Sequence, residues 1–252
     1  MRVLLSNDDG VHAPGLAALA AAFPGDEVWV VAPDREQSAS SHAISLHRPL
    51  RIVQVGERRF SVDGTPTDAV YLALNHVLRG RRPDLVLSGV NHGPNLGNDV
   101  LYSGTVAAAM EGALLGVSAI AVSLAARPPH DFAPAAAFAA ELARSVAAHP
   151  SDRPVLLNVN VPAGPVRGYR VTRLGVRTYG NEVVEKVDPR GKSYFWIGGD
   201  ASHADIPLSD CNTVFDDGLA AVTPLRLDLT HDGLVPPLRD LAVPGYRREP
   251  SP

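Results

Sequence analysis

One cysteine, Cys211, stands in 252 residues, so an intrachain disulfide and a zinc site built from cysteines are both excluded. No apolar stretch approaches the ~18 uninterrupted residues of a membrane-spanning helix. The apolar run at 3–5 passes at once into Asn7-Asp8-Asp9, too short for the hydrophobic region of a secretion signal. The expected address is the cytoplasm, with no membrane partner. Positive charge is not in excess either: 23 Lys and Arg face 27 Asp and Glu, for a formal net charge of -4. Broad binding to nucleic-acid polymers needs many phosphates neutralised together, so no such partner is expected. A Walker A loop is missing, and so is G-x-G-x-x-G after the first apolar run. Both absences argue against an NTPase or a nicotinamide dehydrogenase.

What is present is ordinary globular material, 45% apolar and 20% charged, long enough for one large α/β domain with an elaborated tail. Short apolar or β-branched runs at 3–5 and 27–32 flank an Ala- and Leu-rich helix pattern at 14–23 with proline near its start. A hairpin is expected over 51–62. Thr65-Pro66-Thr67-Asp68 then has the form of a helix start, with a capping hydroxyl and a carboxylate three residues on. Further strands are expected at 84–88, 117–124 and 155–159, and helices at 105–115 and 133–149. This alternation predicts a Rossmann-like, doubly wound, mostly parallel sheet. After Pro162 strand patterns follow at 169–174, 193–197 and 219–222, with no helix between the first two. We therefore expect a core at 1–162 and a β-rich extension at 163–252, with a short helix near 235–241 and a tail over 247–252.

Three polar clusters follow three of the predicted strands: Ser6 to Gly10, Pro33 to Ser41, and Ser88 to Gly93. In an open parallel sheet the ligand crevice lies beyond the carboxyl ends of the strands, so these clusters should meet at one edge. Asp9-Gly10 alone is a common turn signal. Two adjacent carboxylates nevertheless repel, and a cation between them relieves the repulsion. Asn91 lies between Gly89 and Gly93, which permit close backbone approach. The loop from Arg35 to Ser41 carries Ser38, Ser40 and Ser41, and nothing local selects among them. Ser103-Gly104-Thr105 begins a helix pattern whose free N–H groups suit a phosphate. An all-oxygen ligand set selects a hard cation such as Mg²⁺ or Mn²⁺ over zinc. His12, His42 and His92 lie on or beside these loops, where a histidine is more often simply solvated.

The sequence resembles the SurE family, stationary-phase survival proteins that act as 5′/3′-nucleotidases. The resemblance is carried by LLSNDDGVHAPGL, VVAPDREQSASS, GTPTDAVYLAL and DLVLSGVNHGPNLGNDVLYSGTVAAAMEG, and continues in LLNVNVP, DPRGKSYFWIG and AVTPLRLDLT. It implies one divalent cation per subunit, Mg²⁺ or Mn²⁺, held by Asp8, Asp9, Ser38 and Asn91. It is this likeness that chooses Ser38 among the serines. It implies catalytic roles for Asp8 and Asp9, and phosphate contacts at Asn95, Ser103, Gly104 and Thr105. It also implies an extension that exchanges between subunits of a homodimer or homotetramer. The run SDCNTVFDD at 209–217 departs from the family pattern, and His231 is displaced from the place of a functional histidine in some members, so His231 receives no role.

The expected reaction is hydrolysis of a nucleoside 5′-monophosphate, and of 3′-monophosphates as well, to nucleoside and phosphate. Water is the nucleophile that the resemblance favours; direct attack by Asp8 is the alternative. A broader phosphatase or exopolyphosphatase using the same site, and a nucleotide-binding regulator without catalysis, are the rival readings.

Overall fold

The computed structural model describes residues 1–149, 151–180, 182–238 and 244. Its strands in chain order are β1 (Arg2–Ser6), β2 (Glu27–Pro33), β3 (Ile52–Gly56), β4 (Arg59–Val62), β5 (Leu85–His92), β6 (Ala119–Ala125) and β7 (Leu156–Pro162). The later ones are β8 (Tyr169–Val171), β9 (Arg177–Tyr179), β10 (Glu182–Val187), β11 (Ser193–Gly198), β12 (Ala201–His203) and β13 (Ala220–Pro224). The α-helices are α1 (Pro14–Ala21), α2 (Pro66–Leu72), α3 (Gly104–Leu114), α4 (Ala133–Ala148), α5 (Asp210–Phe215) and α6 (Val235–Leu238).

Nine strands form one sheet in the order β3-β4-β2-β1-β5-β6-β7-β13-β8. The run from β4 to β7 is parallel throughout, while β3 and β13 pair antiparallel to their neighbours β4 and β7. The mostly parallel, doubly wound expectation is therefore met. Burial explains why: Val3 and Leu5 of β1 pack with α1 and α4, whereas Leu4 packs with α2 and α3 on the opposite face. A strand covered on both faces reads as a continuous apolar run rather than an alternation. Alanine lines the packed faces of α3 and α4, at Ala107, Ala108, Ala109, Ala135, Ala139 and Ala143, and such small side chains let the helices lie close to the sheet.

The strand order reverses its direction of growth at β1, with β2 on one side and β5 on the other. Ligands sit in the crevice at such a switch point. The capping box at Thr65 forms as expected: the Thr65 hydroxyl accepts from the Asp68 N–H at 3.1 Å, and Asp68 Oδ2 accepts from the Thr65 N–H at 2.9 Å. The other Asp68 oxygen accepts from the Ser45 N–H at 2.8 Å, so this helix start also anchors the long loop after β2. The helix is not α throughout, for it widens over Ala73–Val77 into a π turn.

The region beyond Pro162 is less separate than its sequence implied. Strands β13 and β8 extend the main sheet past β7, while β10 and β11 form a hairpin of their own. The 209–217 run, which carried no structural expectation, contains α5, capped by Ser209 accepting from the Asn212 N–H at 3.2 Å. Six residues with a β-branched centre are too few for a helical period to show. The expected last helix is present as α6; residues 239–241 of that expectation, and the 247–252 tail, lie outside the described residues. Among the described residues no helix is long and apolar enough to cross a membrane.

Candidate metal and phosphate site

Asn7 shapes the turn that ends β1. Its side chain donates to the Gly10 carbonyl at 3.0 Å and accepts from the Gly10 N–H at 3.2 Å. The turn places Asp8 and Asp9 side by side, Asp8 only 5% exposed. The loop after β2 is fastened to it, since the Gln37 N–H donates to the Asp8 carbonyl at 2.8 Å. From the other side of the switch point comes His92, at the end of β5, with Nδ1 2.6 Å from Asp9 Oδ1. The three expected clusters do meet at one sheet edge.

The start of α3 closes the site over Asp8. Thr105 donates its hydroxyl to Asp8 Oδ1, and Ser103 caps the helix by accepting from the Val106 N–H at 3.1 Å. Gly104 presses against the same carboxylate: a Cβ there would lie 2.8 Å from both Cβ and Oδ2 of Asp8. Glycine is thus required at Gly104 by close approach. Gly89 is required for a different reason from the one expected. At φ 136°, its missing Cβ would fall 2.3 Å from the Val122 carbonyl oxygen, so the close approach is to the neighbouring strand rather than to a ligand.

Asn95 is buried and fixes its own loop. Its N–H donates to Asn160 Oδ1 at 2.8 Å, its Nδ2 donates to Ser123 Oγ at 2.7 Å, and its carbonyl accepts from Asn158 and Asn160 at 2.8 and 2.9 Å. Asn91 donates through Nδ2 to the Gly93 carbonyl at 2.9 Å, which turns Oδ1 into the atom left for ligation. Ser38 is exposed and donates to Glu36 Oε1 at 2.6 Å. Its loop holds Ala39 and Ser41 at φ 56° and 51°, left-handed backbone that non-glycine residues adopt at a cost and that clusters at functional sites.

Charge at the site is uncompensated. Burial pushes the Asp8 carboxyl above its usual range, opposed by the hydrogen bond from Thr105. Burial also raises Asp9, to about 6, with repulsion from Asp8 adding to the rise and His92 opposing it. Although His92 lies within ion-pair distance, Asp9 Oδ1 is buried without an aligned hydrogen-bond partner among the described residues. A buried, unmatched anionic oxygen is costly. A divalent cation beside Asp8 and Asp9 would satisfy it, and carboxylate oxygens suit a hard ion. The residues present therefore fit the group.

One neighbour, Glu36, escaped the reading of the sequence, and another, His92, was named there without a role. Asp9, Glu36 and His92 bring ligand atoms within 4.8 Å of one another. Glu36 sits two residues before Ser38 in an acidic loop, and His92 follows Asn91 directly, so proximity to the two chosen ligands was the only available signal. The other histidines lie elsewhere. His42 pairs with the buried Glu111 at 2.9 Å, His12 is exposed, and His231 borders a separate groove with Leu101 and Arg226.

The chain is similar to known proteins over most of its length. The family model described as "Survival protein SurE" matches residues 3–181, a span that contains every expected metal and phosphate residue. The chain is 75% identical over 254 residues to the 5′-nucleotidase SurE of Anaeromyxobacter dehalogenans (strain 2CP-1), with 100% of each chain covered. It is 60% identical to the 5′-nucleotidase SurE of Myxococcus xanthus, covering 98% of this chain and 95% of that one. Its fold matches a crystal structure of the SurE protein from Aquifex aeolicus with a TM-score of 0.83 at 37% identity, over 95% of this chain and 98% of the other. A family match over residues 3–181, with 75% identity along the full length of a relative and the same fold, places the chain in the SurE family.

Proposed function

We propose that the protein is a metal-dependent phosphomonoesterase that hydrolyses nucleoside 5′-monophosphates, and 3′-monophosphates as a further activity, to nucleoside and phosphate. The nucleotidase names of its full-length relatives support this reading. The observation that carries it is the buried Asp8-Asp9 pair, with one unmatched carboxylate oxygen, set against the first turn of α3. Simple phosphate binding gains nothing from two negative charges there; metal-assisted hydrolysis does.

In this reading Asp8, Asp9, Ser38 and Asn91 hold one Mg²⁺ or Mn²⁺, which when bound supplies charge neutralisation and Lewis-acid polarisation. The remaining chemistry belongs to the chain. The N-terminus of α3 carries roughly +0.5 of an elementary charge. With the Ser103 hydroxyl held in the cap and that of Thr105 on Asp8, backbone N–H at Gly104 is the group we assign to the phosphate. Asn95 serves by holding the loop between Asn91 and α3. Because Asp8 is packed under Gly104 and bonded by Thr105, we assign attack to water. As the water oxygen bonds to phosphorus the bond to the nucleoside oxygen breaks, and the proton lost by the water is balanced by one gained on that nucleoside hydroxyl, while Asp9 stays a ligand with His92 Nδ1 2.6 Å away.

The β10–β11 hairpin exposes Val183, Phe195 and Trp196, and leaves Ile197 93% exposed. This supports the use of residues 163–252 in a homodimer or homotetramer, which light scattering after size exclusion would detect. We also read the protein as cytoplasmic. The functional assay is phosphate release from nucleoside 5′- and 3′-monophosphates and from short polyphosphate, with Mg²⁺ and Mn²⁺ supplied separately. Preference for a nucleoside monophosphate is expected. Preference for polyphosphate, or binding without turnover, would overturn the reading.

A further inference from the structure

A cleft of about 290 Å³ opens beside Asp9 on the α1 side of the switch point, bounded by Pro14, Gly15, His92, His130 and Phe132. Three of these residues present rings in succession. His92 and His130 have centroids 6.2 Å apart, and His130 and Phe132 have centroids 5.6 Å apart, tilted at 46° and 39°. The row begins at the histidine whose Nδ1 lies 2.6 Å from Asp9 Oδ1 and leads away from the carboxylates. His130 and Phe132 belong to the loop between β6 and α4, where Pro128 and Pro129 restrict the backbone. His130 also carries a buried Nδ1 with no hydrogen-bond partner. No role assigned above to metal or phosphate uses either residue.

We propose that this cleft takes the nucleobase of the substrate, with His130 and Phe132 as specificity-determining residues. This rests on the nucleotidase reading and names the part of the nucleotide that the metal and phosphate residues leave unrecognised. Its chemistry fits a flat, aromatic group. Every base has a π-face that stacks on aromatic side chains without strong preference for one base. The size suits one small ring system, at the lower end of ligand pockets. Among the described residues no lysine or arginine borders the cleft, so it offers nothing to a further phosphate. A second cleft, bounded by Pro94, Arg177 and Phe215, is the competing place for the base.

The test compares kcat/KM for adenosine 5′-monophosphate with that for ribose 5-phosphate, in Mn²⁺, for the wild type and for His130→Ala, Phe132→Leu and Phe215→Ala. The wild type is expected to prefer the nucleotide. In His130→Ala and in Phe132→Leu that preference should fall about tenfold, mainly through KM for the nucleotide, on the scale of lost base stacking. Phe132 packs against the core, so His130→Ala, on a partly exposed loop position, carries the test if the leucine variant does not fold. An unchanged preference in His130→Ala, or a fall confined to Phe215→Ala, would overturn the assignment. Equal turnover of both substrates by the wild type would also overturn it while leaving the phosphatase intact. Turnover of neither would instead remove the nucleotidase reading, and this assignment with it.

Discussion

Thr105, in the first turn of α3, donates its hydroxyl to Asp8 Oδ1 at the end of β1. The two residues are 97 positions apart in the chain and meet only because β1 and β5 are neighbours in the sheet. This bond favours the ionised form of Asp8 against the burial that disfavours it. Thr105→Val keeps the shape and removes the donor. A hydrogen bond to a charged group contributes ~1.5–3 kcal/mol, so the variant should bind Mn²⁺ roughly tenfold or more weakly. Isothermal titration reads this directly, and unchanged affinity would show that the bond does not support the site.

Gly104→Ala tests the packing beside it. Alanine is a better helix former than glycine by about 1 kcal/mol, so the helix itself does not suffer. The added methyl would nonetheless lie 2.8 Å from Asp8 and displace the carboxylate. Displacement of a reacting group by about 1 Å costs on the order of 100-fold in rate. Activity should therefore fall by about that factor while the circular dichroism spectrum stays native. Wild-type activity in the alanine variant would refute the close fit.

Asp9 makes stability and metal binding depend on pH in opposite directions. Its folded pKa, about 6, lies above the ordinary value of 3.8, so in that interval the native state binds more protons than the unfolded chain. Stability of the metal-free protein attributable to Asp9 is then present at low pH and is lost as pH rises through about 6. A cation competes with those protons. The rise in melting temperature produced by Mn²⁺ should thus be small at pH 5 and large at pH 7.5. Equal shifts at both values would separate Asp9 from the metal.

Asp210 staples the later part of the chain to the site loop. Fully buried, it accepts from the N–H groups of Gly97 at 2.9 Å, Gly175 at 2.7 Å and Cys211 at 2.8 Å. Asp210→Ala leaves three buried donors unmatched and should cost several kcal/mol, at about 1–3 kcal/mol for each. The neighbouring Cys211 supplies a second readout. Burial, with Asp210 adding to it, pushes its thiol up to about 12, so the native protein should resist a thiol reagent at pH 8 and Asp210→Ala should react. Rapid reaction of the wild-type thiol would contradict the burial of α5.

The core was legible because its signals were redundant. At Thr65 a capping hydroxyl, a proline and Asp68 coincide, and the structure forms the capping box they imply. Strand runs such as that of β1 were readable because both faces are covered. For the site, strand ends and polar clusters indicated which loops converge, but not which atoms meet. Nothing in the 36–41 loop distinguishes Ser38 from its neighbours, and the pairing of His92 with Asp9 depends on the register of β1 beside β5. The extension was harder for a related reason. The helix α5 is short, and what fixes it is Asp210 reaching Gly97 across 113 residues, a contact that leaves no local periodicity.

The most direct test of the central claim is phosphate release from adenosine 5′-monophosphate by the wild type and by Asp8→Asn/Asp9→Asn, before and after chelation and with cation restored. The account predicts that wild-type turnover stops with chelator and returns with Mg²⁺ or Mn²⁺, while the folded double variant stays inactive throughout. Turnover that survives chelation, or that persists in the double variant, would contradict it.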